Sequence, residues 1–375
     1  MKILSFSGLL AGFVLCFSAS ISYAEELKVT ADEHGMHAHH QMGHVHEGPA
    51  SPISVMGDHL HDEGEWMLSY RFMRMEMDGN RSGSNDLSPG DISGVVANRF
   101  FGTPGQPATL RIVPTEMTMD MHMVGAMYAP TDWVTLMVMG NYLDMEMDHI
   151  TFAGGNPALE IGRFTTESNG IGDTKLAALF GLFETGNHQV IGKLGGSLPT
   201  GSIDETGTIL NPMGARVSIR LPYAMQLGTG TYDIEPGVTY TGHQGDWGWG
   251  AQYQARIHLG ENGEDYTRGD KHSVNAWLAY LWGGGFSTSA RVAAETESKI
   301  DGIDPQIVGP VQTADPDNYG GQRVELGFGV NFSPDDGILQ GHEFGAEILL
   351  PVYQSLNGPQ LERDYSFTLG YRFAF

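Results

Sequence analysis

Every second residue is aromatic or leucine in the last stretch of the chain, DYSFTLGYRFAF (residues 364–375). The residues between them are small or polar and include Arg372. Neighbouring side chains of a β-strand point to opposite faces, so a period of two predicts a strand with one apolar and one polar face. An arginine at the centre of a bilayer would cost about 2–4 kcal/mol. We therefore predict that the aromatic face contacts lipid and that Arg372 points into a lumen.

The same alternation predicts about twelve strands, an even number as in bacterial outer-membrane barrels. They fall near residues 65–77, 116–129, 132–148, 172–184, 187–198, 230–242, 246–259, 271–283, 285–299, 321–333, 341–353 and 363–375. Their connections are short and long in turn, which is the pattern of periplasmic turns and external loops. A secreted β-sandwich has no reason to keep that order. The predicted fold class is therefore all-β, a transmembrane antiparallel up-and-down β-barrel over residues 64–375.

The long connections include residues 78–115, 149–171 and 199–229. A barrel of about twelve strands has a narrow lumen, so loops that fold inward constrict it. The connection 199–229 contains the stretch RLPYAMQLGTGT and is our candidate for such a constriction.

The beginning of the chain resembles a secretory signal peptide. Lys2 is followed by an apolar run over residues 3–17 and then by Ser22, Tyr23 and Ala24. A charged start, a short apolar core and small residues at the end are typical of such a peptide, and the run is too short to span a membrane. We predict a signal peptide over residues 1–24 and a location in the Gram-negative outer membrane.

Composition excludes several classes of protein. The one cysteine, Cys16, lies in the predicted signal peptide, so disulfides and thiolate metal sites are not expected in the mature chain. Loss of Lys2 leaves 20 − 1 = 19 basic side chains against 45 acidic ones, a formal charge of −26. Such a chain repels nucleic acid. No pattern indicates the serine, histidine and polar orienting group of a hydrolase, so the protein is not expected to be an enzyme.

Methionine occupies every second position in the stretch EMTMDMHMVGAMY (residues 116–128). In the strands on either side, Trp66, Leu68, Val134 and Leu136 fit a lipid-facing phase, so the methionines alternating with them point inward. In the middle strand Val124, Ala126 and Tyr128 fit the lipid face, so its methionines also point inward and three adjacent strands form one methionine wall of the lumen. The opposite phase of the middle strand stays open near the rim, where Asp120 and His122 would otherwise face outward. Its candidate metal ligands are Met73, Met75, Met77, Met117, Met119, Met121, Met123, Met137, Met139, Met145 and Met147.

Two interpretations of this wall remain open. Methionine surfaces adapt to apolar solutes, so the wall is either a soft hydrophobic lining or a thioether ladder for Cu(I) or Ag(I), which prefer sulfur ligands. No bound cofactor is expected beyond such copper or silver ions.

Ahead of the barrel lies a segment rich in histidine and methionine, predicted over residues 25–63. It has neither a helical nor a strand period, so we expect a flexible, disordered periplasmic segment. Imidazole and thioether groups together suit copper or silver, and the alternative is a merely solvated tail. The segment also offers a surface for a periplasmic partner. Its candidate ligands are His34, His37, His39, His40, His44, His46, His59, His61, Met36 and Met42.

Charged side chains fall into two predicted groups. Asp144, Glu146 and Asp148 lie on the face opposite the methionines of their strand and are expected to form a solvated edge. The second group is expected to form an internal salt-bridge network in the lumen. It comprises Arg71, Arg256, Arg291, Glu295, Arg323, Glu325 and Arg372.

Two stretches resemble a known family. GIGDTKLAALFGLFE (residues 170–184) and GKLGGSLPTGSID (residues 192–204) are similar to the G-x-GD strand and the L-P-T-G loop of the family named putative MetA-pathway of phenol degradation. The resemblance implies an outer-membrane transporter-like β-barrel for small, aromatic solutes. The histidine- and methionine-rich leader is similar in composition to that of outer-membrane copper-resistance B proteins.

We therefore expect an outer-membrane channel for small solutes, with soft metal ions among them. One alternative is an uptake channel for small hydrophobic or aromatic compounds. The other is a structural or metal-sequestering protein without a pore. Expected partners are outer-membrane lipid and a small solute or metal ion.

Overall fold

The computed structural model describes residues 48–334 and 336–375. Eleven strands join edge to edge by antiparallel pairing into a ring that closes between the last strand and the first. The strands are β1 (Trp66–Gly83), β2 (Asn85–Leu87), β3 (Ile112–Thr131), β4 (Val134–Ala153), β5 (Asn156–Ile171), β6 (Thr174–Thr185), β7 (His188–Leu198), β8 (Thr206–Leu210), β9 (Arg216–Arg220), β10 (Tyr232–Gln244), β11 (Trp247–Leu259), β12 (Tyr266–Thr267), β13 (Lys271–Gly283), β14 (Phe286–Glu297), β15 (Asp301–Gly302), β16 (Gly321–Phe332) and β17 (His342–Ala374). Around the ring the order is β1, β3, β4, β6, β7, β10, β11, β13, β14, β16 and β17.

The last strand, β17, contains two legs. Its first half pairs with β16 from Phe344 to Leu356, and its second half pairs with β1 from Leu356 to Ala374. The N–H of Ala374 donates to the carbonyl oxygen of Gly341 at 2.9 Å, so the two ends of the strand lie side by side. A single extended strand of that length would separate them by about 100 Å. Each leg therefore crosses the barrel, and the ring contains the twelve antiparallel segments that the sequence predicts.

The strands β5 and β6 lie end to end on the same edge of β4. Residues Tyr142 to Ala153 of β4 pair with β5, and residues Val134 to Met139 pair with β6. Only two residues, Gly172 and Asp173, separate β5 from β6. The predicted long connection 149–171 is therefore wrong, because β4 and β5 continue through it as a hairpin. The outward side chains there are charged, so the sequence lacks the lipid-facing signal in this part.

The long-loop end of the barrel carries the remaining elements. They are the strands β2, β8, β9, β12 and β15, the helix α1 (Pro89–Val95) and the 3₁₀ turns Tyr223–Met225, Gln312–Ala314 and Pro316–Asn318. A further 3₁₀ turn, Gly337–Leu339, lies at the short-turn end. In the described part of the chain, no helix is both long and apolar enough to span a membrane. The loops share a buried cluster around Tyr223 and Tyr266, both fully buried, which covers the lumen from this end.

The outer surface confirms the predicted faces. Exposed apolar side chains such as Leu68, Val124, Leu136 and Leu369 cover the barrel wall. Nearer the long loops the surface becomes polar, and Arg74 binds Asp120 across two strands at 2.5 Å. The predicted solvated edge at 144, 146 and 148 continues this polar zone.

Candidate solute pathway

Pairing between β1, β3 and β4 aligns the methionines in rows across the inner wall. In β3, Met117, Met119 and Met127 each face a methionine on both neighbouring strands. Side chains directly opposite one another on neighbouring strands have Cβ atoms about 4.5–5.5 Å apart, close enough for side-chain contact. The three rows are Met77–Met117–Met147, Met75–Met119–Met145 and Met67–Met127–Met137. The predicted wall is therefore present.

Other predicted wall members lie between or beside these rows. Met73 pairs with Met121, and Met123 lies between Arg71 and Asn141. Met139 lies beside Gly125 of β3. All are buried or half-buried, as expected for inward side chains of a barrel.

A loop segment packs against the wall inside the lumen. We name residues 199–229 the loop plug. Its Leu221 and Met225 are fully buried and contact the cluster that contains Met117, Met145 and Met147. The hydroxyl of Ser168 on β5 donates to the carbonyl oxygen of Met225 at 2.8 Å. The predicted inward constriction by this connection is thus present in the structure.

The loop plug is tied to the barrel at its two ends by one carboxylate. Asp173 accepts hydrogen bonds from the N–H of Gly201 at 2.9 Å and from the N–H of Thr229 at 2.8 Å. A Cβ at Gly201 would lie 2.7 Å from the Cα of Gly228, so the two ends approach too closely for a side chain. Asp173 belongs to the GIGD stretch and Gly201 to the LPTG stretch, which gives these two motifs a shared structural role.

The external loops hold the loop plug from above. The hydroxyl oxygen of Tyr223 accepts the N–H of Asp304 at 3.0 Å. Burial raises the pKa of Tyr223 to about 12, so its hydroxyl stays neutral at physiological pH. The side chain of Arg220 pairs with Asp304 at 3.0 Å and with Glu264 at 2.9 Å. Three loops are thereby joined above the methionine wall.

The segment that leads into β1 fills the other end of the lumen. We name residues 48–63 the terminal plug. Its Ile53 and Val55 are 0% and 2% exposed. A Cβ at Gly345 would lie 2.6 Å from the Cβ of Ile53, and one at Gly370 would lie 2.3 Å from its Cγ1. Glycine at these two wall positions therefore makes room for Ile53.

Side chains of the wall donate to backbone carbonyls of the terminal plug. Arg71 donates from Nε to Ile53 at 2.9 Å, Asn331 donates to Ser51 at 2.7 Å, and Gln252 donates to Met56 at 2.8 Å. Residues 48–63 belong to the segment predicted to be flexible, and the structure instead packs them inside the barrel. Their polar groups find partners there that the sequence alone does not reveal.

A charged cluster anchors the same segment. Asp58 lies 3.2 Å from the Nδ1 of His59 and 3.9 Å from Arg372, which also approaches Glu343 at 3.6 Å. Burial by itself would raise the pKa of Asp58. The charges of His59 and Arg372 outweigh burial and hold that pKa well below its usual range.

The predicted metal ligands are distributed unevenly. His59 and His61 lie in the terminal plug with their ring centroids 5.0 Å apart, and His61 pairs with Glu65 at 3.3 Å. In the described residues, no group of three or more His, Asp or Glu side chains is arranged to hold a metal ion. The remaining tail ligands lie outside the described residues, as does the predicted signal peptide. They are His34, His37, His39, His40, His44, His46, Met36 and Met42.

Opposite the methionine wall, the lumen is lined by ion pairs. Glu295 binds Lys271 at 2.6 Å and Arg323 at 3.1 Å. Arg291 pairs with Glu347 at 2.8 Å. The predicted salt-bridge network is therefore present for Arg291, Glu295, Arg323 and Glu325, the last of which pairs with Arg363 at 2.9 Å.

Sequence reasoning missed part of this lining. Glu235 of β10 gathers Lys175, Lys193 and Arg256, and of these four only Arg256 was among the predicted lumen charges. The exposed neighbours Leu176 and Leu194 carry the signal that would have found the two lysines. A leucine that faces lipid places the adjacent residue of its strand in the lumen.

No protein-family model matches the chain, and no curated protein matches it either. Among solved structures, it is similar to an outer-membrane channel from Pseudomonas putida, with a TM-score of 0.54, 14% identity, and coverage of 87% of this chain and 100% of that one. A Pseudomonas aeruginosa FadL homologue gives a TM-score of 0.39, 10% identity, and coverage of 83% and 89%. The monoaromatic hydrocarbon channel CymD gives a TM-score of 0.40 and 9% identity, with coverage of 84% of this chain and 89% of that one. The Pseudomonas putida likeness extends over the whole of that chain, and the β-barrel of this protein matches the fold of a Gram-negative outer-membrane channel.

Proposed function

We propose that the protein is a gated outer-membrane channel for small solutes and not an enzyme. The observation that carries this proposal is that two segments of the chain itself fill the lumen of a closed barrel. The terminal plug closes the periplasmic end, where the connections are short, and the loop plug narrows the external end. Connecting segments can move out of a lumen, whereas side chains packed between the walls of a barrel cannot. A lumen filled by such segments is therefore suited to opening and closing.

The way the terminal plug is held supports a gate. It adds no strand to the barrel in the described residues, and its backbone carbonyls are bound by side chains of the wall rather than by a strand ladder. Single hydrogen bonds of this kind contribute about 0.5–1.5 kcal/mol each, or about 1.5–3 kcal/mol when one partner is charged. Because the plug contributes no strand, it can leave the lumen without unfolding the barrel, at the cost of these bonds, of the ion pairs of Asp58 and of the burial of Ile53 and Val55.

Two inward side chains of the barrel wall also retain contact with solvent. Arg256 and Lys271 point into the lumen and are 35% and 34% exposed. A structural barrel without a pore would fill that space. Water therefore reaches the lumen lining at these two side chains, which supports a pathway for a small solute.

Single-channel recording in planar bilayers tests the proposal. The purified mature protein should produce discrete conductance steps with long closed intervals, because both plugs occupy the lumen at rest. A barrel that inserts and folds but shows no steps under any voltage would support the alternative, a structural or metal-sequestering protein, and would overturn the channel proposal.

A second candidate function is the binding of soft metal ions. It rests on the rows of methionines, which bring nine thioethers together on one inner surface, with Met225 of the loop plug packed against them. Thioethers favour Cu(I) and Ag(I) over harder cations. The histidine-rich residues 25–47 would supply imidazole ligands on the periplasmic side and a surface for a periplasmic partner.

A further inference from the structure

Three basic side chains on three different strands converge on one carboxylate in the lumen. Oε1 of Glu235 lies 2.9 Å from Nζ of Lys175 and 2.9 Å from Nε of Arg256. Oε2 of Glu235 lies 3.4 Å from Nζ of Lys193. The group therefore carries 3 − 1 = 2 excess positive charges, although the whole chain has a net charge of −25.

Asp233, the next inward carboxylate on the same strand, does not offset the excess positive charge of the cluster at the lumen surface. Asp233 is bound by His258 at 2.7 Å and by the hydroxyl of Thr231 at 2.7 Å, and its side chain has no exposed surface. Lys175 and Arg256, by contrast, remain 22% and 35% exposed. Both side chains have further N–H donors, since an ammonium has three and a guanidinium five. The cluster is thus able to bind a second anion from the lumen.

The position of the cluster indicates what kind of anion fits. Lys175 pairs directly with Met139 of β4, at the edge of the methionine wall. On the other side, Gln254 and Lys193 flank Gly237 of β10, and Gln254 donates to the carbonyl oxygen of Met56 in the terminal plug at 3.4 Å. A solute held here by a negative group would place the rest of its body against thioethers and methylenes. Methionine surfaces adapt to apolar groups of varied shape.

We propose that Lys175, Lys193 and Arg256 form a binding site for a small organic anion with an apolar body, such as an aromatic carboxylate. This proposal rests on the channel function and names its solute class. The guanidinium and ammonium groups bind the carboxylate, and the methionine wall contacts the ring. The same positive charge disfavours passage of free metal cations through this part of the lumen.

The test uses the purified full-length mature protein in detergent, with benzoate as probe and benzyl alcohol as its uncharged analogue. Benzoate should bind more tightly than benzyl alcohol. The double variant Lys175→Gln with Lys193→Gln leaves a balanced pair between Arg256 and Glu235, so the barrel keeps no unpaired charge. It should weaken benzoate binding by about tenfold or more while leaving benzyl alcohol unchanged. Lys299→Gln, which removes one charge from an exposed external loop, is the matched control.

A second readout separates this inference from the channel proposal. In planar bilayers the parent should pass anions in preference to cations, and the double variant should lose that preference. Conductance steps without a preference for anions would overturn the anion site and leave the channel in place. Equal benzoate binding by the parent and the double variant would do the same. Benzoate binding that the double variant loses, in a protein without conductance, would overturn the channel and support the site.

Discussion

Arg71, on the inner face of the first strand, donates from Nε to the carbonyl oxygen of Ile53 at 2.9 Å. Arg372, on the last leg of the barrel, reaches the same oxygen at 3.4 Å. The two strands that close the ring thus both bind the terminal plug. The carbonyl of Ile53 is buried inside the lumen. The same two arginines therefore lie on the strands that close the barrel and also hold the segment that closes the pathway.

Replacing Arg71 should weaken the gate. Arg71→Met keeps much of the side-chain length but removes the charged donor, at a cost of about 1.5–3 kcal/mol to the plugged state. We expect about a tenfold or larger rise in the fraction of time the channel is open, measured in planar bilayers. Arg163→Met is the control, because Arg163 is 66% exposed and pairs with Glu160 outside the lumen. Equal open times for Arg71→Met and the parent would show that this bond does not hold the plug.

The loop plug has its own anchor. Asp173→Asn leaves one carbonyl oxygen in place of the two that receive the N–H groups of Gly201 and Thr229. We expect a loss of about 1–3 kcal/mol in the docking of the loop. Proteases added to intact cells should then cleave residues 199–229 faster. Asp301→Asn, on an exposed part of another external loop, serves as control. Unchanged cleavage would mean that the external loops alone hold the loop plug.

Acid by itself should not release the terminal plug through Asp58. The pKa of this carboxyl is lowered, because the charges of His59 and Arg372 outweigh the effect of burial. A lowered pKa stabilises the plugged state above the unfolded value of about 3.9, and this contribution is lost only as the pH falls through the lower folded value. Asp58 should therefore stay ionised and keep its pairing with Arg372 between about pH 5 and pH 8. Asp58→Asn should raise the open fraction by a similar factor across that range, and a parent-like open fraction would contradict this assignment.

The methionine rows allow a test of soft-metal binding. Replacing Met117, Met119, Met121 and Met123 by leucine preserves volume and apolar character, so barrel assembly should be unaffected. Silver binding and the copper tolerance of cells should fall if the wall holds metal through its thioethers. Parent-like silver binding in this variant would leave the wall as an apolar lining.

The tail and the wall should differ in their dependence on pH. Histidines of residues 25–47 should lose Cu(II) below about pH 6, because protonated imidazole does not bind metal. Thioethers do not protonate in this range, so Ag(I) on the wall should persist. Isothermal titration at pH 5 and pH 7.5, with and without residues 25–47, separates the two sets.

Period-two alternation was enough to predict the barrel, because each spanning strand contrasts a lipid face with a lumen face. That contrast disappears where strands rise above the bilayer. On β4 and β5 the outward Glu146 and Glu167 face each other in water, and the hairpin between these strands was accordingly predicted as a loop. The terminal plug was not predicted from the sequence for another reason. Its contacts join backbone carbonyls to distant side chains such as Arg71 and Arg372, and no local period encodes them.

The most direct test of the account locks the terminal plug in place. A Cβ at Gly48 would lie 2.9 Å from the Cβ of His243, somewhat closer than the roughly 3.5–4.5 Å of a disulfide, so a small shift of the plug would allow a bond. The mature chain is expected to contain no other cysteine. In planar bilayers, the double variant Gly48→Cys with His243→Cys should show no conductance when it is oxidised. When it is reduced, it should regain the conductance steps of the parent. Each single variant should conduct in both states. Equal conductance of the double variant before and after reduction, with the disulfide verified by mass spectrometry, would contradict a pathway that opens by displacement of residues 48–63.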